Sequence, residues 1–397
     1  MSEERGFVAP EPVSWRDRDA PAGGHRRPLE PRSFLTDEDA HPLDGAGRIA
    51  WARLDSAALE IPAADRAFAV IPCLNEAAHI GGLIAHLLDD PDWTDPLIVV
   101  ADGGSTDGTV DIVQAIALTD RRVRLLHNPA KLQSAGVNLA AVQFGKGRRW
   151  MVRVDAHAGY PDHYVSRLLS EGRDKGAASV VVAMNTEGQG GFQTAAATAQ
   201  NSVLGAGGSA HRCGTRSGWV DHGHHALFDL EHFFGVGGYD ESFGANEDAE
   251  FDVRLGKANG RIWLSPDVRI TYYPRRTAQG LFRQYVNYGK GRARTLLTHR
   301  IRPKVRQMLP VAVAPAVAMA ALGFSHPVLA IPAAGWAGAS LLLGAMLGLK
   351  KRDAAACASG VAAMIMHLGW SLGFWMQLLT PRQPSPAPRA RTAEGLN

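Results

Sequence analysis

An open, mostly parallel α/β sheet followed by apolar helices is the architecture this sequence predicts, on three observations. From Ala67 onward, short apolar runs alternate with segments of helical periodicity, the pattern of strands joined by crossover helices. The residues that follow successive runs are acidic or glycine-rich, as at the ligand-binding edge of such a sheet. Residues 307–349 and 354–381 contain no Asp, Glu, Lys or Arg, which sets the end of the chain apart from its body.

Taken in order, residues 1–66 are mixed in charge and rich in proline (Pro10, Pro12, Pro21, Pro28, Pro31, Pro42). They read as an extended or disordered segment, and the absence of an apolar core segment predicts no secretory signal there. Ala67–Cys73 is a first buried strand and Glu76–Leu88 a helix with Ile80, Leu83, Ile84, Leu87 and Leu88 on its apolar face. Strands then follow at Pro96–Ala101, Val123–Leu126, Trp150–Val154 and Ser179–Ala183, with helices at Val110–Leu118 and Leu132–Phe144 and another beginning at Val165–Leu169. The soluble body is expected over 67–274.

In an open sheet of this kind ligands sit beyond the carboxyl ends of the strands. That rule selects Asn75-Glu76, the turn from Asp102 to Thr109 and Asp155-Ala156-His157. The turn, DGGSTDGT, lets backbone approach a ligand and offers the Asp102 carboxylate to sugar hydroxyls or a base N–H, with an N-cap expected at Asp107. It is not the G-x-G-x-x-G of a dinucleotide-binding fold, because glycines do not follow the first strand. Asp155 and His157, two residues apart past a strand, can face one divalent ion, Mg²⁺ or Mn²⁺, with the imidazole leaning toward Mn²⁺. Such an ion offsets the charge of a departing diphosphate. A third cluster, Glu247, Asp248, Glu250 and Asp252, crowds its carboxylates enough to raise one pKa. Glu250 has Arg254 at i+4 and Asp252 has Lys257 nearby, which leaves Glu247 and Asp248 to face a site.

Between Arg275 and Arg306 there are ten Lys and Arg and no Asp or Glu. With Leu281, Phe282, Tyr285 and Tyr288 interleaved, 275–306 reads as a basic interfacial segment, able to mark the cytoplasmic side, attract anionic headgroups or hold a lipid diphosphate. The membrane domain is expected over 307–381 as about three helices: 309–324, 326–349 and 354–380. At about 1.5 Å per residue the last two exceed a bilayer core of roughly 30 Å, and the first, carrying Pro310 and Pro315, falls short. Residues 382–397 form a flexible tail. Overall the net charge is only 42 − 39 = +3, so no nucleic-acid partner is expected. Cys73, Cys213 and Cys357 are too few for a disulfide framework.

Together and in this order, VIPCLNE (70–76), DGGSTDGT (102–109), VDAH (154–157) and NEDAEFDVR (246–254) resemble family 2 inverting glycosyltransferases with the GT-A fold. RVDAHA (153–158), the Gly235–Asp252 region, ITYYPR (270–275) and QYVNYGKGRAR (284–294) bring the closer likeness to succinoglycan-type exopolysaccharide glucosyltransferases. The resemblance covers about Phe68–Arg306. It implies that Pro72, Glu76, Asp102, Gly103 and Asp155 bind the donor, that Asp155 and His157 hold the metal and that Asp248 is the catalytic base. Glu247, Arg275, Gln284, Tyr288 and Arg292 are the positions open to the acceptor or its diphosphate. The processive Gln-x-x-Arg-Trp motif is absent, which implies one sugar per encounter. The run His222-Gly-His-His225 stands where an acceptor-side loop is expected, with a substrate or metal contact and a plain surface position both open.

The implied activity is transfer of a hexose, glucose by resemblance, from a nucleotide-diphosphate sugar such as a UDP-hexose to a polyprenyl-diphosphate-linked glycan. The implied place is the cytoplasmic face of the inner (plasma) membrane, held by a multi-pass anchor in the bilayer. Two alternatives stay open: a polyprenyl-phosphate sugar synthase, and a non-catalytic scaffold on the same fold.

Overall fold

The computed structural model describes residues 63–207, 212, 216–303, 309–323 and 326–380. The N-terminal segment up to residue 62, Cys213, Lys304 and Arg306 of the basic segment, and the tail lie outside the described residues.

The alternation expected from the sequence is present: β1 (Ala63–Cys73), α1 (Ile80–Leu88), β2 (Ile98–Asp102), α2 (Thr109–Thr119), β3 (Val123–His127), α3 (Gln133–Phe144), β4 (Arg148–Arg153), α4 (Tyr164–Lys175) and β5 (Ser179–Thr186). Beyond it come α5 (Gly191–Gln200), α6 (Val203–Ala206), β6 (Gly218–Val220), β7 (His224–Asp229), α7 (Leu230–Gly235), α8 (Glu247–Lys257), β8 (Ile262–Tyr272) and α9 (Ala278–His299). The apolar end forms α10 (Val313–Ala321), α11 (Ile331–Lys351), α12 (Ala354–Cys357) and α13 (Ser359–Leu379).

The strands join in one sheet of order β3-β2-β1-β4-β7-β5-β8-β6. β1 pairs in parallel with β2 and β4, β2 with β3, and β5 with β8. β7 enters antiparallel between β4 and β5, and β6 closes the edge antiparallel to β8. Strand alternation splits the core in two. Ala67, Ala69 and Ile71 face α1, α2 and α4, while Phe68 and Val70 face α3, α7 and α8. The second layer is aromatic, with Phe228, Phe233, Tyr239 and Phe251 in mutual ring contact. It seats α8 against the sheet.

Among the described residues two helices are long and apolar enough to cross a bilayer, Pro327–Lys351 and Ala354–Leu379. The stretch expected at 309–324 yields only the shorter apolar helix Leu309–Ala321. At 1.5 Å per residue that is roughly 20 Å against a core of about 30 Å, the shortfall its length in sequence already implied. In the basic segment, α9 lies along α13. A Cβ on Gly373 would stand 2.0 Å from the Val286 carbonyl oxygen, and one on Gly289 2.0 Å from that of Trp370. Only glycine permits that backbone approach. Ala195, Ala196 and Ala199 of α5 pack with Leu281, Ala362 and Met366 on the same helix pair. Lys351, ending α11, donates to Thr198 Oγ1 at 3.3 Å. The apolar helices are thus packed directly on the α/β body.

Candidate active site

The loops after β1 and β2 are stitched together by short polar side chains. Asn75, left-handed at φ 58°, accepts from Thr106 N at 2.8 Å and its own N–H donates to Ser105 Oγ at 2.8 Å. Glu76 N donates to Thr109 Oγ1 at 2.8 Å and Ala77 N to Asp107 Oδ2 at 3.0 Å. The cap residue of α2 is Gly108 at φ 94°, one place later than expected; Asp107 instead binds Thr109 and the neighbouring loop. These bonds hold the Asp107 carboxyl below the usual range. Asp102 ends β2 buried, and its carboxylate accepts from Gly104 N (2.8 Å) and Ser105 N (3.1 Å). Gly103 N bonds the Cys73 carbonyl at 2.8 Å, and Pro72 sits opposite Ala101 in the ladder. Burial, then Glu76 and Asp102, push the Cys73 thiol up to about 12, so it stays neutral.

β4 delivers the second loop. Asp155 Oδ1 accepts from Gln133 Nε2 at 3.0 Å and stands 3.4 Å from Arg153 Nε. His224 Nε2 lies 3.5 Å from Asp155 Oδ2. His157 Nδ1 is 2.9 Å from Glu76 Oε1, which ties this loop to the β1 loop. Burial raises the Asp155 pKa, but Arg153, His224 and His157 outweigh it, and the carboxyl sits below its usual value. Burial lowers His224 more than Asp155 raises it, so its imidazole is held neutral, with a lone pair available.

The third part is the start of α8. Buried Arg153 donates to Asp248 Oδ1 at 2.7 Å and to Tyr239 Oη at 3.0 Å, and Tyr239 donates to the same Asp248 oxygen at 2.6 Å. Burial opposes the Asp248 charge, but Arg153 and the two histidines dominate, and its pKa falls well below the ordinary range. Burial and the Asp248 charge push Glu247 up to about 7. The crowded cluster therefore does raise one pKa, at Glu247 and not at Asp248. Glu250 pairs with Arg254 as expected and also with His299 at 2.9 Å. Asp252 does not turn to Lys257. It binds His225 Nε2 at 2.6 Å and His222 Nδ1, and His225 Nδ1 lies 2.7 Å from Ser179 Oγ, whose hydroxyl donates to the Leu227 carbonyl at 2.8 Å. Buried His225 reaches Asp252 without drawing a lysine ammonium from water. α9 also fixes this helix start, since Asn246 Nδ2 donates to Thr295 Oγ1 at 3.1 Å.

One cavity of about 2110 Å³ is lined by Asp155, His157, Glu247, Asp248, Arg275, Gln284, Tyr288 and Arg292. Of the expected site residues, Pro72, Glu76, Asp102 and Gly103 are not on its wall. They form the neighbouring loop pair joined to it through Glu76 and His157. Gln284 Nε2 donates to Tyr272 Oη (2.9 Å) and Tyr288 Oη (3.0 Å). Three positions given no role from sequence, Arg153, Gln133 and His224, also line it. The RVDAHA motif and the histidine run were the signals for two of them; nothing in sequence marked Gln133.

Asp155 and His157 offer oxygen and nitrogen atoms of the kind a divalent ion takes, but with His224 they do not form a group of three ligand atoms tight enough to hold one ion. Among the described residues the one tight group of three such side chains is Asp90, Asp92 and His163. There Asp90 accepts from Ser166 N in the first turn of α4 and from Asp92 N within its own loop.

Residues 68–233 match the family Glycosyl transferase family 2. Succinoglycan biosynthesis protein ExoA of Rhizobium meliloti (strain 1021) is 50% identical over 314 residues, 79% of this chain and 95% of that protein. Among solved structures, mannosyltransferase PcManGT from Pyrobaculum calidifontis, in complex with GDP-Man and Mn²⁺, aligns with a TM-score of 0.51 at 19% identity. That alignment covers 83% of this chain and 92% of the other, and it speaks for the fold.

Proposed function

The chain belongs to glycosyltransferase family 2, and from that premise we propose that it is a membrane-anchored inverting hexosyltransferase of exopolysaccharide synthesis. It takes glucose from a nucleotide-diphosphate sugar and places it on a lipid-linked glycan. The observation that carries this reading is the single cavity in which Asp155, Asp248 and the arginines of α9 meet.

Asp248 takes the proton of the acceptor hydroxyl as that oxygen attacks the anomeric carbon. The diphosphate leaves from the opposite face, so an α-linked donor yields a β-glycoside. Arg153 holds Asp248 ionised and ties it to Asp155, which sets the distance between base and donor. The Asn75, Glu76 and Asp102 loops border the nucleotide. Asp155 and His157, with His224 nearby, would hold a divalent ion, Mn²⁺ or Mg²⁺, and that ion would supply positive charge for the leaving diphosphate. Anchorage rests on the two apolar helices. Lys351 bonded to the α/β body supports that body lying on the Lys350–Arg352 side of the membrane, the cytoplasmic side by the positive-inside rule.

One observation favours a second reading. Arg153 leaves Asp248 a weak proton acceptor, which suits an acceptor oxygen that is already anionic, as in a polyprenyl phosphate. The experiment is nucleotide release by the full chain in detergent with UDP-glucose, UDP-galactose, GDP-mannose and UDP-N-acetylglucosamine, with Mn²⁺, Mg²⁺ or EDTA, beside Asp155→Ala. Release from one donor, abolished by EDTA and by the substitution, is expected. A folded protein that binds none of these donors by calorimetry would overturn the catalytic reading and leave the scaffold.

A further inference from the structure

We propose that Glu247 is the terminal proton acceptor of the reaction: the proton that Asp248 draws from the attacking hydroxyl comes to rest on Glu247 and leaves from there to water. This rests on the transferase reading and adds a second carboxylate to its chemistry.

The geometry gives the two carboxylates different work. Both line the cavity, and both stand in the first turn of α8. Asp248 is fixed. Its Oδ1 accepts from Arg153 Nη1 at 2.7 Å and from Tyr239 Oη at 2.6 Å, and both of those side chains are buried. Two donors on one oxygen hold the ionised form, so Asp248 can aim a hydroxyl proton but cannot keep it. Glu247 has no such ties. Among the described residues no other residue hydrogen-bonds or ion-pairs its half-buried carboxylate. The charged and titratable groups that share its cavity wall are Asp248, Arg153, Asp155, His222, His224 and Arg292. Burial and the charges of Asp248 and Asp155 outweigh Arg153, which is already bonded to Asp248, and bring the Glu247 carboxyl up to about 7. A carboxylate without a partner beside a second one weakens the fold, and such arrangements are characteristic of functional sites.

The step balances. The acceptor O–H bond breaks as its oxygen bonds the anomeric carbon. The bond from that carbon to the diphosphate oxygen breaks, and its electron pair leaves with the diphosphate. The proton passes from Asp248 to Glu247, its neighbour in sequence on the same wall, and Asp248 returns to the ionised form that Arg153 favours. When the product departs, water enters the cavity and takes the proton from Glu247. A group that titrates near neutral pH can accept a proton from a strong acid and still release it to water. Asp248 alone would return its proton to the reacting oxygen.

The test uses the full chain in detergent with UDP-glucose, or whichever of the four donors it turns over. Water serves as the acceptor, since it too gives up a proton on attack. For wild type, Glu247→Gln and Glu247→Asp, kcat/KM is followed from pH 5.5 to 9 and donor affinity is measured by calorimetry. The wild type should lose about tenfold per pH unit below about 7, the slope of one required base. The Gln variant should turn over about tenfold more slowly or worse, lose that slope and bind the donor within about twofold of wild type. The Asp variant should restore the slope at a reduced rate. Infrared difference spectra of the chain without substrate give a second reading. The protonated-carboxyl band should vanish with a midpoint near 7 in the wild type and be missing from the Gln variant. A Gln variant with wild-type kcat and an unchanged slope, or no carboxyl titration between pH 6 and 8, overturns the relay and leaves Asp248 acting alone. A tenfold loss of donor affinity in the Gln variant would place Glu247 in donor binding and overturn it too. In each of these cases the wild type still turns over and the transferase reading stands; a wild type that neither binds nor turns over any donor removes that reading itself.

Discussion

The two sides of the sheet edge are built on different physics. On the β1–β2 side, Asn75, Ser105, Thr106, Asp107 and Thr109 hold the loops by short, largely solvent-facing hydrogen bonds. On the β4–β7–α8 side the ties are buried charges: Arg153 with Asp248, Asp252 with His225, Glu250 with Arg254 and His299. A hydrogen-bonded loop loses about 1 kcal/mol with one partner. A buried ion pair is close to all-or-none, because the remaining partner is left charged and unsolvated. The donor side should therefore tolerate substitution in graded steps, and the chemistry side should fail abruptly.

The largest expected effect tests the abrupt side. Asp248→Asn should lower kcat by about 10²–10⁴ with the donor dissociation constant within about threefold of wild type. Single-turnover kinetics and calorimetry on one preparation separate the two numbers. A variant that keeps more than a third of its turnover would remove Asp248 as the base and favour the anionic acceptor oxygen.

Next in size is Asp252→Asn, a residue one helical turn from Asp248 with no proposed contact to substrate. It breaks the buried pair with His225 and should cost about 3 kcal/mol. The melting temperature should fall by roughly 6–12 °C. The same change at Asp107, on the exposed loop pair, should lower it far less. Equal falls at the two sites would erase the contrast between the regions.

These two regions also differ in how much of them could be read in sequence. Strands β1 to β5 announce themselves as apolar runs such as AFAVIPC and PLIVVA, since a parallel strand buried on both faces needs no polar alternation. The sheet-edge rule then located Asn75, Asp102 and Asp155. Beyond β5 the signal fails. β7 opens with His224-His225, whose burial depends on Asp155 and Asp252, partners 69 and 27 residues away. No local pattern encodes such pairs. β8 contains Pro266 and still forms a strand, with a register shift against β5 between Val182 and Met184. Arg153 was visible as part of a motif, but its part as the link between Asp155 and Asp248 exists only once β4 and α8 are packed. The apolar helices were legible by composition, and their packing against α9 was not, because glycines such as Gly289 and Gly373 read as weak points until a partner helix is present.

Glu247→Gln sharpens the contrast through pH. Its carboxyl is raised from 4.5 to about 7 by burial and by Asp248. A raised carboxyl costs nothing below its unfolded pKa, and the cost grows as pH climbs to the folded value. At 1.36 kcal/mol per unit the full cost is at most about 3 kcal/mol above pH 7. The Gln variant should melt several degrees above wild type at pH 8 and at the same temperature near pH 4.5. A difference that stays flat across that range would mean that Glu247 is not held in the strained, charge-crowded position described.

The smallest effect lies on the donor side. Both oxygens of Asp102 already accept backbone N–H groups of its own turn, from Gly104 and Ser105, with Gly104 at φ 90°. If shaping that turn is how Asp102 serves the donor, loss should be graded. Asn keeps one acceptor oxygen and should weaken nucleotide-sugar binding about twofold to threefold, while Ala removes both and should weaken it about tenfold, near 1.4 kcal/mol. Thermal stability should fall in the same order, since the turn is part of the fold. If instead the carboxylate charge itself grips the nucleotide, Asn and Ala should be equally harmful to binding with melting temperatures unchanged. Calorimetric titration of the three proteins with UDP-glucose, beside their melting curves, decides between a turn that presents its backbone and a carboxylate that makes the contact.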